Sequence, residues 1–99
     1  MGRFDFAIQA LRAGQRAIVR PTGNSIRPLV KSGASVTLDP VVVEDLKTGD
    51  VVLCRVAGSV CLHLVTCLQG GRVQIGNNHG NVNGWTRTIY GRAFKIENP

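Results

Sequence analysis

The sequence has few acidic residues, few aromatic residues and no long apolar segment. Its 99 residues include 12 Lys and Arg against 6 Asp and Glu, so the formal net charge is +6. Such a balance is compatible with a nucleic-acid or acidic-protein partner. The basic residues are scattered, however, and only 5% of the chain is aromatic. We therefore expect a generally basic surface, and nucleic-acid binding is not the favoured function.

The sequence also lacks a CxxC pair and any apolar stretch near the roughly 20 residues needed to span a bilayer. The N-terminal segment carries Arg3 and Asp5 and does not resemble a secretory signal. The three cysteines, Cys54, Cys61 and Cys67, lie in apolar strand-like segments, where free cysteine behaves as a small buried hydrophobe. These features predict a cytoplasmic, reducing compartment, no disulfide framework and no membrane partner.

Short apolar segments alternate with turn-forming residues after one helical pattern at the N-terminus. The spacing predicts a helix over 4–13 and strands over 16–20, 35–38, 50–56, 60–68, 72–75 and 87–96. Residues 76–84 are predicted as a loop, and 41–46 are ambiguous between strand and loop. In the last strand, Gly91 indicates a bulge or a close backbone approach. The pattern predicts one mostly β domain over residues 1–99, with one short helix and a coiled, half-closed antiparallel sheet.

One serine lies in a turn with strong backbone constraints. Gly23 permits conformations that other residues resist, and Pro28 restricts its own φ and the conformation of Arg27. The turn therefore holds the Ser25 hydroxyl at a defined place. A serine in such a turn is usually only a turn residue, because its hydroxyl is a poor nucleophile until a neighbouring base takes its proton.

One histidine lies in the middle of an apolar strand-like segment. His63 shares a strand face with Cys61 and Val65, so it is either a satisfied core residue or a placed base. A zinc site made of Cys61, His63, Cys67 and His79, with Cys54 as a further ligand, is a rival interpretation. Zinc ligands usually occur as close pairs on a turn, and this spacing is irregular. The sequence therefore predicts no metal and no other cofactor.

Six segments, in this order, resemble the superfamily of LexA-type self-cleaving repressors and type I signal peptidases. They are Gly23-Asn24-Ser25-Ile26-Arg27-Pro28-Leu29, Lys31-Ser32-Gly33, Leu46-Lys47-Thr48-Gly49-Asp50-Val51-Val52-Leu53, His63-Leu64-Val65, Gly76-Asn77-Asn78 and Tyr90-Gly91-Arg92-Ala93. The resemblance covers nearly the whole chain. It implies the coiled antiparallel sheets of that family and a serine peptidase activity. Small stand-alone members of this kind are similar to phage or prophage proteins.

The resemblance assigns roles to three residues of the serine turn and the apolar strand. It implies that Ser25 is the nucleophile and that His63 is the base. Repressors and bacterial signal peptidases carry lysine at the latter position, and endoplasmic-reticulum and archaeal signal peptidases carry histidine. His63 would accept the serine proton and return it to the leaving amine. The backbone N–H of Ser25 is the implied oxyanion donor, with Asn24 as a weaker candidate.

Asparagine replaces the acids that the family places near the base. Asn77 stands at the aspartate of the family's Gly-Asp-Asn motif, and Asn83 stands roughly where a second acid often occurs. A carboxylate or an amide normally orients a histidine base, so we expect Asn77 or Asn83 to orient His63. An amide cannot stabilise the imidazolium with a full charge, which predicts weak activity. The alternative is an inactive relative that binds protein or nucleic acid. Asp50, which opens a strand, is more typical of a structural residue.

Two parts of the larger family members have no counterpart in this sequence. Without a membrane anchor or an N-terminal DNA-binding domain, we expect neither cleavage of exported signal peptides nor a repressor role. Ala13-Gly14 resembles the bond that repressors cleave in themselves, but it lies too close to Ser25 to copy their cleavage loop. The expected partner is a peptide or protein substrate, and an exposed closing strand could pair across a homodimer.

Overall fold

The structure is a computed structural model that describes residues 4–22 and 29–99. The elements are α1 (Asp5–Arg12), β1 (Ala17–Val19), β2 (Ser35–Asp39), a 3₁₀ turn (Val43–Asp45), β3 (Val51–Val56), β4 (Ser59–Gln69), β5 (Arg72–Gly76), β6 (Val82–Thr86) and β7 (Thr88–Glu97). The predictions that concern Ser25 and Asn24 lie outside the described residues. None of the helices in the described part of the chain is both long and apolar enough to cross a bilayer.

The strands form one antiparallel sheet in the order β1-β2-β7-β3-β4-β5-β6. The last strand of the chain joins the two halves of this sheet, because the first half of β7 pairs with β3 and its second half pairs with β2. β1 and β6 lie at the two edges, and the described strands do not close into a barrel. The prediction of a mostly β chain with one short helix and an antiparallel sheet is confirmed.

The helix contributes an apolar face to one side of the sheet. Ala7, Ile8 and Leu11 recur at helical spacing and are buried, and they pack with residues of β1, β2 and the β3–β4 hairpin. Asp5 in the first turn and Arg12 in the last turn complement the helix dipole. The helix predicted over 4–13 is therefore confirmed, with its ends one residue inside the predicted bounds.

At Gly91 the helix lies directly against the sheet. A Cβ atom at this position would lie 2.8 Å from the backbone oxygen of Asp39 and 2.9 Å from both methyl carbons of Leu11. The register of β3 against β7 also shifts here, between the pairs Leu53–Gly91 and Cys54–Ile89. Both features predicted for Gly91, a bulge and a close approach, are present.

The other side of the sheet has its own apolar cluster, which lies within the curl of β3 to β6. Its buried members are Leu46, Val52, Cys54, Val56, Val65, Val73 and Ile75. The curl brings β6 back over β3, since the hydroxyl of Thr86 donates to the backbone oxygen of Arg55 at 2.5 Å. Residues of β3 alternate between the two clusters, as the period of two in a strand requires.

One strand occupies a segment that the sequence predicts as a loop. β6 (Val82–Thr86) overlaps the loop predicted over 76–84, so this prediction is wrong for its last three residues, and also for Gly76, which ends β5. Asparagine and glycine are depleted in strands, which explains the error. The strand forms because β5 supplies its hydrogen-bond partners, and Gly84 pairs with Ile75 in that ladder. The ambiguous segment 41–46 contains the 3₁₀ turn and no strand.

Candidate functional site

A tight turn sets the register of the hairpin that carries His63. β3 and β4 are joined by Ala57 and Gly58, which have φ values of 50° and 79°. Positive φ at both central residues is typical of a type I′ turn. The hairpin predicted here is confirmed, although its loop has two residues rather than three. With this register, Cys54 lies directly opposite Cys61.

Cys54, Cys61 and His63 therefore share one face of the sheet. Residues directly opposite each other in a ladder lie on the same side, and residues two apart in one strand also do. His63 pairs with Val52, which belongs to the cluster under the β3–β6 curl. Cys54 is fully buried, whereas Cys61 and His63 are half-buried. The hairpin thus places two thiols and one imidazole side by side at the rim of an apolar cluster.

The imidazole of His63 has a defined orientation. Its Nδ1 lies 2.6 Å from the backbone oxygen of Leu62. Because a carbonyl oxygen can only accept, Nδ1 must carry the proton and donate in this contact. In the neutral ring, the lone pair is then on Nε2. A backbone carbonyl of the same strand thus fixes the tautomer, a role that the sequence assigns to an asparagine.

The structure places the two asparagines in the neighbouring turn and strand. Asn77 follows β5, and its side-chain oxygen accepts the backbone N–H groups of His79 at 2.8 Å and Asn81 at 3.1 Å. The backbone N–H of Asn77 donates to the backbone oxygen of Asn81. The Asn77 carbonyl is therefore committed to closing the turn between β5 and β6. Asn83 is exposed on the edge strand β6.

Asp50 has structural partners at the start of β3. Its carboxylate accepts the backbone N–H of Lys47 at 2.8 Å and lies 3.7 Å from Nη1 of Arg92. Its backbone oxygen accepts the N–H of Val65 at 2.9 Å. These contacts close the turn that leads into the hairpin.

The thiols of Cys54 and Cys61 are close enough to ionise as a pair. The sulfur atoms of Cys54 and Cys61 are 3.9 Å apart. A hydrogen bond from the Cys54 thiol lowers the pKa of Cys61 to about 5; burial opposes this shift, and His63 contributes to it. The pKa of Cys54 is raised by the same hydrogen bond, by burial and by the charge on Cys61. The first ionisation of the pair is thus easy, and the second is hard because it would place two thiolates next to each other.

His63 responds to the same charge. The hydrogen bond with Cys61 raises the pKa of His63, burial opposes this, and the charge on Cys61 and the Leu62 carbonyl add to it. The thiolate of Cys61 and the imidazolium of His63 therefore stabilise each other. A protonated imidazole cannot act as a base, so the base form of His63 is reached only at higher pH than for an ordinary histidine.

The thiol pair is the part of the site that sequence reasoning missed. The cysteines are predicted as buried hydrophobes, which describes Cys54 but not the half-buried Cys61 and Cys67. A partial signal was present, since Cys54 and Cys61 are each three residues from Ala57-Gly58 and pair if the turn has two residues. The rival zinc site is not formed: within residues 4–22 and 29–99, no three side chains of His, Cys, Asp or Glu are grouped as metal ligands.

No protein-family model matches this chain, and a search of curated proteins finds no match.

Proposed function

We propose that this chain is a serine peptidase-like domain of the LexA and signal-peptidase type, in which His63 is the general base for Ser25. The observation that carries the proposal is the 2.6 Å contact of His63 Nδ1 with the Leu62 carbonyl. This contact leaves Nε2 as the atom that can accept a hydroxyl proton, as a serine nucleophile requires. The order of the six family-like segments and the coiled antiparallel sheet support the same assignment.

In this mechanism, the oxygen of Ser25 attacks the peptide carbonyl while His63 takes the serine proton. His63 then returns that proton to the leaving amine, and water hydrolyses the acyl-enzyme by the same route. The backbone N–H of Ser25 is the proposed oxyanion donor, and Asn24 is a further candidate. A peptide or protein is the substrate.

Cys61 has a positioning role in this proposal. Asparagine cannot provide the negative charge that an aspartate gives to a histidine base. The Cys61 thiolate, which raises the pKa of His63, provides that charge from the same strand. It stabilises the imidazolium that forms when Ser25 loses its proton. It also keeps His63 protonated to higher pH, so the proposed activity belongs to the alkaline side of neutrality.

A serine-reactive fluorophosphonate tests the proposal when its adduct is followed by intact mass. We expect one adduct on the wild type above neutral pH and none on Ser25→Ala. The variant His63→Gln should react slower by roughly 10²–10⁴-fold, which is the usual contribution of a general base. Absence of an adduct on the wild type, or an equal adduct on Ser25→Ala, would remove the peptidase assignment.

A second candidate function is an inactive relative that binds nucleic acid. The observation that favours it is the guanidinium of Arg72, which lies 4.9 Å from the ring centre of Trp85 on the half of the sheet that ends at edge strand β6. Together with a net charge of +6, this arrangement offers a base-stacking surface in a positive field. Binding of a single-stranded oligonucleotide that weakens steeply with salt, and that Trp85→Ala reduces, would support it. Retention that is absent or insensitive to salt would exclude it.

A further inference from the structure

We propose that Cys54, Cys61 and His63 form an oxidisable thiol site, at which a hydroperoxide converts the two cysteines into a cross-strand disulfide. This proposal goes beyond the peptidase assignment, since it makes no use of Ser25. It rests on the positions of three side chains on the β3–β4 hairpin.

The hairpin already brings the two sulfur atoms close together. They are 3.9 Å apart, and their residues are direct partners in the ladder. Direct partners in an antiparallel ladder have Cα atoms about 4.5–5.5 Å apart, within the roughly 4.4–6.8 Å that a disulfide spans. Rotation of the side chains can therefore bring the sulfurs to bonding distance without moving the strands. Cys67 has no such partner, because it pairs with Gln74 beyond a bulge.

The two cysteines differ in access, which determines their roles. Cys54 has no exposed surface, whereas Cys61 is half-buried at the rim of the cluster. The titratable groups against Cys61 are Cys54 on β3 and His63 on its own strand. The cluster against which Cys61 packs is apolar. Cys61 is thus the thiol that reacts first with a small oxidant, and Cys54 is the resolving thiol that then attacks the oxidised Cys61.

The reaction has two balanced steps. In the first, the Cys61 thiolate attacks the terminal, hydrogen-bearing oxygen of the hydroperoxide; an S–O bond forms, the O–O bond breaks, and Cys61 becomes a sulfenic acid. The leaving alkoxide takes a proton from the His63 imidazolium and departs as an alcohol. In the second, the sulfur of Cys54 attacks the sulfur of Cys61, the S–O bond breaks, and the departing hydroxide leaves as water with the Cys54 proton. Two thiols lose two electrons, and the hydroperoxide gains them.

The first step prepares the second. Two of the three causes that raise the pKa of Cys54 are the hydrogen bond to Cys61 and the charge on Cys61. A sulfenic acid at Cys61 is neutral, so the charge disappears and the hydrogen bond weakens. Cys54 then ionises more easily, at the moment when its neighbour has become electrophilic. The buried thiol is therefore kept inactive until Cys61 is oxidised.

The test uses the full chain with one to two equivalents of hydrogen peroxide, followed by intact mass and a non-reducing peptide map. We expect the loss of two hydrogens and a Cys54–Cys61 crosslink that dithiothreitol reverses. The variants Cys67→Ser and Ser25→Ala should give the same product, and the latter separates this site from the peptidase proposal. Cys61→Ser should form no crosslink. Cys54→Ser should accumulate a sulfenic acid that dimedone traps at Cys61.

The pH dependence of the wild type provides a second readout that needs no variant. The thiolate fraction of an ordinary thiol with a pKa of about 8.5 falls roughly 75-fold between pH 8 and pH 6. The oxidation rate of N-acetylcysteine should fall to a similar extent. Over the same range, we expect crosslinking in this chain to change less than about threefold, because the Cys61 thiolate persists. His63→Gln should restore part of the pH dependence. A rate that follows N-acetylcysteine, or oxidation at Cys67 without a Cys54–Cys61 crosslink, would overturn the proposal.

Discussion

Substitution of Gly91 by alanine should destabilise the fold, because it would force α1 and β2 away from β7. The added Cβ would lie 2.8 Å from the Asp39 oxygen and 2.9 Å from two methyl carbons of Leu11. Carbon atoms in favourable contact are about 3.5–4.0 Å apart, so the Leu11 contacts alone are too short by at least 0.6 Å. The Leu11 side chain can rotate, but the Asp39 oxygen belongs to the backbone of a paired strand.

The size of this effect follows from two opposing contributions. Overpacking of a tight site costs about 1–3 kcal/mol, and contact with a backbone atom favours the upper half of that range. Replacement of glycine restricts the unfolded chain and returns about 0.4–1 kcal/mol, since Gly91 does not adopt a positive φ. The net loss is about 1–2.5 kcal/mol. For a domain of this size, it corresponds to a Tm about 4–20 °C lower.

Thermal and urea unfolding, followed by far-UV circular dichroism, measure this loss. The matched control is the same substitution in a Leu11→Ala background, where the two methyl contacts no longer exist. Gly91→Ala should then cost about 1 kcal/mol less than it does in the wild type. The reasoning would be refuted by a loss below about 0.5 kcal/mol, or by an equal loss in both backgrounds.

Three further predictions concern the hairpin and the turn beside it. Cys54→Ala should raise the pKa of Cys61 more than His63→Gln does, because the Cys54 hydrogen bond is the largest cause of the low Cys61 pKa. Ultraviolet titration of the thiolate measures the Cys61 pKa in both variants. A larger rise in His63→Gln would contradict the prediction. Fluorophosphonate labelling should rise with pH through a range above the ordinary pKa of histidine, since Cys61 raises the pKa of His63. Cys61→Ser should move that rise to lower pH, and an unmoved profile would exclude the pairing. Gly76→Ala should destabilise the chain by about 1–3 kcal/mol in urea unfolding, because the added Cβ would overlap the backbone oxygen of Asn81. An unchanged stability would show that the turn between β5 and β6 can open freely.

The features that the sequence predicts well depend on local patterns. The helix follows from apolar residues at a spacing that places them on one face, whatever that face packs against. Most strands follow from short apolar segments between turn formers. The close approach at Gly91 follows from a glycine inside an otherwise regular strand.

β6 was not predictable in the same way. Its residues disfavour a strand when taken alone, and they form one because β5 provides a ladder and the sheet curls over β3. Such pairing depends on a surface made by another part of the chain, which no local pattern contains.

The functional site also has a part that the sequence determines and a part that it does not, and the difference lies in one residue of the hairpin turn. The sequence by itself determines that a hairpin forms and that Cys61, His63 and Val65 share one face of its second strand. It does not determine whether the turn has two or three residues. With three, Cys54 would pair with Leu62, and Cys61 would lie on the opposite face from Cys54.

Only the tertiary structure decided between these registers. The two-residue turn holds Ala57 at a φ of 50°, a conformation that costs a residue with a side chain roughly 1–2 kcal/mol. In return, Val65 of β4 lies on the same face as Val52 and Cys54 of β3, in the cluster under the β3–β6 curl. A slip of one residue would move one strand's side chains to the other face, and burial of several apolar side chains outweighs the strain of one turn residue. The thiol pair beside His63 is a consequence of that packing.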